Sequence, residues 1–224
     1  MVLGAYDGDT LLDWSWVNDH TTEIWERVQE HLTLVAWSLF WGLLLAIPLA
    51  LLAHRFHALR GPALSVTGIL YTIPSIAAFS LLLPYTGLSQ NTVIIPLTAY
   101  SLLILVRNIL AGLDGVSGEV LEAAHGMGYS GSRQLFAVEL PLAVPSIMAG
   151  LRIAAVTLIG LVPIAALVGQ GGLGTLMLDG FNRDFETPLT VATVLVVVIA
   201  IVVDALLLVV QTVVTPWNRR RVRA

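Results

Sequence analysis

The sequence predicts an all-α membrane protein of about five transmembrane helices, with its N-terminus outside and its C-terminus inside. Three observations lead there. Of the 224 residues, 57% are hydrophobic and 12% charged, with a mean hydropathy of +0.86, far from the composition of a soluble domain. Five apolar stretches, at 32–53, 63–83, 91–113, 143–169 and 189–213, reach the ~20 residues needed to cross a hydrocarbon core. The arginines fall mainly on one side: Arg55 and Arg60 after the first stretch, Arg107 towards the end of the third and Arg133 after it, and Arg219, Arg220, Arg221 and Arg223 in the tail. Arg27 and Arg183 alone fall on the other, so the positive-inside bias places the tail in the cytoplasm.

The segment before the first stretch, residues 1–31, carries seven acids (Asp7, Asp9, Asp13, Asp19, Glu23, Glu26, Glu30) against Arg27 and has no basic, then apolar, leader pattern. With Trp14, Trp16 and Trp25 among the acids, Leu11 to Glu30 reads either as an interfacial amphipathic helix or as a tail anchored by its tryptophans. The first and last stretches are uninterrupted by charge except at Asp204. The middle three contain Pro74, Pro96 and Pro163, which membrane helices tolerate where neighbours satisfy the freed backbone groups. Residues 32–213 therefore form the transmembrane domain, with a cytoplasmic loop at 117–141, and 214–224 a basic cytoplasmic tail.

That loop contains "EAAHGMGYSGSRQLFAVELP", Glu122 to Pro141. Ser117 is placed to cap a short helix whose early acids, Glu119 and Glu122, suit the positive end of the helix dipole. Gly126 and Gly128 then bend the chain. A second short helix begins near Ser130 and ends where Pro141 removes a donor and pushes Leu140 out of helical conformation. The expected product is a helix, glycine elbow, helix unit outside the membrane, with Leu135, Phe136 and Val138 available to dock on a partner.

Several function classes are excluded or disfavoured. The chain has no cysteine, so thiol catalysis and thiolate metal sites are out. It has no lysine either, hence no P-loop, and any ATP must be bound by another chain. There is no HExxH and no GxSxG, and the five histidines (His20, His31, His54, His57, His125) are scattered over both sides, against both an intramembrane enzyme and a metal site. A stand-alone channel is the other different-class alternative, and it would need no elbow.

Glu122-Ala123-Ala124, three residues, Gly128, nine residues, then Val138-x-Leu140-Pro141 resembles the EAA-x3-G-x9-I-x-LP signature of the transmembrane subunits of binding-protein-dependent ABC importers. "YTIPSIAAFSLLLP", "LILVRNILAGLDGVSGEVLEAAHGMG" and "LPLAVPSIMAGLRIAAVTLIGLVPIAALVGQGGLG" extend the resemblance over residues 32–213, most closely to permeases for glycine betaine, carnitine, choline and proline betaine. Methionine-type and phosphonate-type permeases share parts of these segments, so an amino acid or an oxyanion is the alternative cargo. The resemblance implies a type I ABC importer permease fold in a bacterial or archaeal cytoplasmic membrane and no chemistry in this chain. It also implies a second permease copy or a paralogous permease, two ATP-binding subunits carrying ATP and Mg, an extracytoplasmic substrate-binding protein, and no nucleic acid. Glu122, Ala123, Ala124, Gly128, Val138, Leu140 and Pro141 are then the coupling residues that dock on the ATPase. "GQGGLGTLMLDG" from Gly169 to Gly180 would help form the outer vestibule, its alternative being a flexible external loop.

A quaternary ammonium cargo offers no N–H, so aromatic faces are its expected partners, and Tyr71, Phe79, Tyr85 and Tyr100 are pathway candidates. Arg152 and Asp204 are the charges expected inside spans. Counting ~1.5 Å per residue from residues 143 and 213 puts both about 13 Å deep, and they are expected to face each other as an ion pair. The four arginines of the tail either bind anionic lipid or only set topology.

Overall fold

A computed structural model of the chain describes residues 12–217. Asp7, Asp9 and the arginines at 219, 220, 221 and 223 lie outside the described residues. Asp13 caps α1 (Trp14–Asp19), its Oδ1 accepting from Ser15 Oγ at 2.6 Å and from the Ser15 and Trp16 amides at 2.9 and 3.2 Å. These donors, the Ser15 hydroxyl foremost, hold its carboxyl below the usual carboxylate range. The Asp13 amide in turn donates to Thr187 Oγ1 at 2.9 Å, tying the start of the chain to the start of the last helix.

After a turn at His20, α2 runs unbroken from Thr21 to Arg55. This corrects the expectation of an interfacial helix to Glu30 followed by a separate span: the boundary between 31 and 32 falls inside one helix. The physical reason is that no glycine or proline occurs between Thr21 and Trp41, so nothing interrupts the backbone where the composition changes from acidic to apolar. At ~1.5 Å per residue the helix is about 52 Å long, well beyond the ~30 Å hydrocarbon core. Its buried residues His31, Leu34, Val35, Ser38, Gly42, Ala46, Ala50 and Ala53 follow three- and four-residue spacing and lie along α5.

The second predicted span is two helices, α3 (His57–Thr72) and α4 (Ser75–Thr86), bent by 91° at Ile73–Pro74. Pro74 forces Ile73 into an extended conformation (φ −66°, ψ 125°), and the helix cannot pass through it. The hydroxyl of Tyr100 donates to the freed Ile73 carbonyl at 2.9 Å, and the Pro74 carbonyl accepts from the Ala78 amide at 3.0 Å.

α5 (Asn91–Asp114) is the central helix, buried along most of its length and in contact with α2, α3, α4 and the helix that follows the loop. The outer loop helices are α6 (Gly118–Gly126) and α7 (Gly131–Gln134). Beyond them a π-helical turn (Leu135–Glu139) leads into α8 (Leu140–Leu161) and a 3-10 segment (Val162–Val168). α5 and α8 meet through small residues: a Cβ on Gly150 would lie 2.4 Å from Asn108 Cβ, so only glycine permits this approach. α9 (Leu173–Asn182) and α10 (Glu186–Val214) complete the bundle. α10 is apolar all round and packs on α8 and α9, with Val197, Val198, Ile201 and Leu206 exposed.

Among the described residues, four helices or composite helices are thus long and apolar enough to cross a membrane, and the bent α3–α4 pair makes a fifth. Besides a small cluster of Leu173, Leu176 and Ala192 between α9 and α10, two larger core clusters stack along the bundle. Leu34, Phe79, Leu97, Tyr100 and Leu158 fill one half; Ala46, Ala50, Leu105, Ile109 and Ala154 fill the half nearer α6.

The glycine-rich stretch after α8 is a close-packed turn rather than a loose loop. Gly172 adopts φ 52°, ψ −122°, a region reserved for glycine, and a Cβ there would come within 2.7 Å of the His31 backbone. Gly172→Ala is therefore expected to destabilise the bundle by at least the ~1–3 kcal/mol of such backbone strain, read as a lowered thermal midpoint of the purified protein. Gly61→Ala, helical and with open space around its Cβ, should leave the midpoint unchanged or raise it.

Candidate coupling site and intramembrane ion pair

The loop between α5 and α8 is built as an elbow whose angle is fixed by hydrogen bonds. Ser117 occupies the N-cap of α6 in an extended conformation, yet its side chain makes no capping bond, which corrects the role expected for its hydroxyl. Glu119 in the first turn still faces the positive end of the helix. At the other end Gly128 is left-handed, φ 78°. Its amide donates to the His125 carbonyl at 2.9 Å, and the Tyr129 amide donates to the Ala124 carbonyl at 3.1 Å. That pair of bonds is a Schellman closure, with Ala124 three residues before the cap and Gly128 just beyond it. The spacing between Ala124 and Gly128 is thus what the closure requires, and Ala124 is buried inside the turn.

Ser130 then caps α7, its hydroxyl accepting from the Arg133 amide at 3.4 Å, while the Arg133 guanidinium lies 4.4 Å from the centre of the Tyr129 ring. Pro141 does not end this helix, contrary to expectation. Leu140 stays helical (φ −59°, ψ −49°) and its amide bonds five residues back to the Leu135 carbonyl. The widened π turn absorbs the missing proline donor, so Gly131 to Val168 form one continuous 38-residue helical unit.

Of the residues singled out by sequence, Glu122 and Ala123 are exposed on α6, Val138 and Leu140 are half-buried, and Pro141 sits in the first turn of α8. Glu122 makes no hydrogen bond or ion pair among the described residues. Phe136 is 63% and Met127 69% exposed, whereas Leu135 packs into the core beside Leu110 and Ala143 and is not free to dock.

A polar network that sequence reasoning missed lies beneath the elbow. Glu139, buried in the π turn, accepts from Gln134 Nε2 at 3.1 Å, and its other oxygen is 2.9 Å from His54 Nε2 at the end of α2. The second ring nitrogen of His54 is 3.3 Å from Asp114 Oδ1 at the end of α5, and Asp114 is also paired with Arg60 of α3. An open cleft of about 420 Å³ runs beside His54 and Glu139. No periodicity marks Glu139, which is the unspecified position of the motif.

Deeper in the bundle, Arg152 and Asp204 join α8 to α10 through a two-pronged pair, Nε to Oδ1 at 2.8 Å and Nη2 to Oδ2 at 2.7 Å. Counted from the start of α8 and the end of α10 they lie about 18 and 15 Å in, near the middle of a ~30 Å core. Three of the aromatic candidates lie together and one lies apart. Phe79 and Tyr100 are in the core, Tyr71 meets the Tyr100 ring edge-to-face at the helix break, and Tyr85 is exposed at the end of α4. Among the described residues no three His, Asp or Glu side chains converge to hold an ion.

A five-span helical bundle with a hydrogen-bonded elbow projecting between its third and fourth spans defines the class: a polytopic membrane protein. Its fold is that of a chain in the inward-facing structures of the MetNI methionine ABC transporter. The match to the crystal form soaked with selenomethionine has a TM-score of 0.74 at 23% identity, covering 84% of this chain and 94% of that one. The family described as the inner membrane component of binding-protein-dependent transport systems matches residues 39–220, and the chain belongs to that family. It is 38% identical over 196 residues to the osmoprotectant import permease protein OsmW of Salmonella typhimurium (85% of this chain, 91% of the relative). It is also 33% identical over 201 residues to the choline transport system permease protein OpuBB of Bacillus subtilis (90% and 93%). The chain is accordingly a multi-pass permease component of the cytoplasmic membrane.

Two outcomes follow from this geometry. Gly128→Ala places a side chain at φ 78° at a cost of about 1–2 kcal/mol, and is expected to open the Schellman closure. Hydrogen exchange at the Gly128 and Tyr129 amides should quicken while the thermal midpoint of the bundle holds. Arg152→Gln or Asp204→Asn alone leaves one charge unpaired in the membrane and should lower the yield of folded protein, whereas replacing both by leucine should recover much of it. Yields ordered the other way, with the double variant worst, would contradict the pairing role.

Proposed function

We propose that this chain is the membrane-spanning subunit of an ATP-driven importer for quaternary ammonium osmoprotectants such as glycine betaine, choline and carnitine. The observation that carries the substrate class is the similarity, over most of both chains, to permeases named for osmoprotectant and choline import. The absence of lysine supports ATP binding by separate subunits. The arginine distribution supports an orientation with the elbow and the C-terminus in the cytoplasm and the N-terminus outside. Two copies, or this chain and a paralogous permease, enclose one pathway, with two ATP-binding subunits carrying ATP and Mg beneath them. A substrate-binding protein docks outside.

In this reading the exposed face of α6, with Glu122, Ala123 and Met127, seats in a groove of the ATP-binding subunit. Approach of the two ATPases on binding ATP draws the elbows together. Because Gly131 to Val168 are one helical unit, that displacement passes directly into α8 and reorients the spans, exposing the pathway alternately to each side. The chain itself makes and breaks no covalent bond. Arg152 and Asp204 keep α8 and α10 moving together.

The test is uptake of labelled glycine betaine in cells lacking their own osmoprotectant importers, with this chain co-expressed with its neighbouring ATPase and binding protein. Uptake should be displaced by excess choline or carnitine and not by methionine or phosphate, and Glu122→Lys should reduce it about tenfold or more, the scale of one lost charge-assisted contact. An assembled complex that ignores betaine while its ATPase responds to methionine would overturn the substrate class.

A further inference from the structure

We infer that Glu139 is a positioning residue for coupling: it clamps the moving elbow to the ends of α2, α3 and α5, so that the elbow drives the bundle and not α8 alone. This rests on the importer reading above.

Covalently, the elbow joins the bundle at two places, the short link from Asp114 to Ser117 and the π turn into α8. A push on α6 delivered through those connections alone would bear on one helix, α8, and on a link of two residues. The side chains change that. Glu139 is 7% exposed and makes two contacts, to Gln134 on the elbow side and to His54 at the last turn of α2. His54 passes the connection to Asp114 at the last turn of α5, and Asp114 to Arg60 in the first turn of α3. One chain of polar contacts therefore ties the π turn to the ends of α2, α5 and α3, and its first step, from Glu139 to His54, spans 85 residues.

The π turn has a second consequence here. Its extra residue rotates the preceding segment by about 100° relative to α8. Gln134 on α7 and Glu139 within the turn then meet across five residues, and Glu139 lies on the side that faces α2. The same widening that accommodates Pro141 thus aims the carboxylate. A buried carboxylate is costly without partners, and removing either the His54 or the Gln134 contact leaves one Glu139 oxygen without its protein partner.

The experiment uses the whole importer, permease with its ATPase and binding protein, in proteoliposomes, measuring glycine betaine uptake and ATP hydrolysis in the same vesicles. Glu139→Ala should lower uptake per ATP hydrolysed by about tenfold, the scale of a hydrogen bond to a charged group, while hydrolysis continues. His54→Ala should do the same, and the double variant should be no worse than either, because both break one connection. Glu139→Gln, which keeps a polar side chain in place, should recover part of the ratio. Loss of assembly or stability lowers uptake and hydrolysis together and leaves the ratio unmoved, so an unchanged ratio in Glu139→Ala overturns the inference. Effects of Glu139→Ala and His54→Ala that multiply in the double variant overturn it too. Should Glu139→Ala fail to co-purify with the ATPase, the His54→Ala and Gln134→Ala variants carry the same comparison. Wild-type vesicles whose hydrolysis ignores betaine contradict the substrate reading instead, and the ratio is then taken with the solute that stimulates them.

Discussion

Hydrocarbon offers no hydrogen-bond partner to a peptide group, and the places where this chain departs from regular helix follow from that constraint. The break at Ile73–Pro74 is closed by the Tyr100 hydroxyl. The 3-10 segment after α8 ends in the same two-bond closure seen at Gly128, with the Gly169 amide on the Ala166 carbonyl and the Gln170 amide on the Ala165 carbonyl. The π turn keeps Leu140 bonded to Leu135, so Pro141 costs no break. Two charges at mid-depth survive because each carboxylate oxygen of Asp204 receives a donor from Arg152. Irregular backbone is tolerated where another part of the protein supplies what the membrane cannot.

The elbow illustrates the converse. Outside the bundle water is available, and here the chain exposes Phe136, Met127 and Glu122. Its shape is set by a glycine closure after α6 and by the continuous helix that begins at Gly131. An exposed helix held by such a closure against a continuous span suits the transmission of force. The family to which the chain belongs is defined by cooperation with other proteins, and the surface chemistry of the elbow is consistent with that.

Much of the architecture is legible from residue type alone, because long apolar stretches have few fates. Depth counting put Arg152 and Asp204 at one level, and the side chains are bonded in the structure. The motif spacing becomes intelligible once Ala124 and Gly128 are seen as the two ends of a Schellman closure. Other features were hidden for physical reasons. Composition changes near residue 31, but helices end where backbone is interrupted, so α2 runs back to Thr21. A proline alone does not mark a break: Pro74 breaks its span, whereas Pro48, Pro96, Pro141 and Pro145 stay within helices. The link from Glu139 to His54 spans 85 residues and leaves no local trace.

The central claim is that α6 faces the ATP-binding subunit from the cytoplasm while the α9 end faces the binding protein. A natural absence of cysteine permits a direct measurement: single cysteines at Met127 and at Phe181, 69% and 75% exposed, each labelled with a photo-crosslinker in the assembled importer. The account predicts that position 127 captures the ATP-binding subunit and position 181 the substrate-binding protein. Capture in the reverse sense, or no capture of the ATPase from position 127 in a complex that hydrolyses ATP, would contradict it.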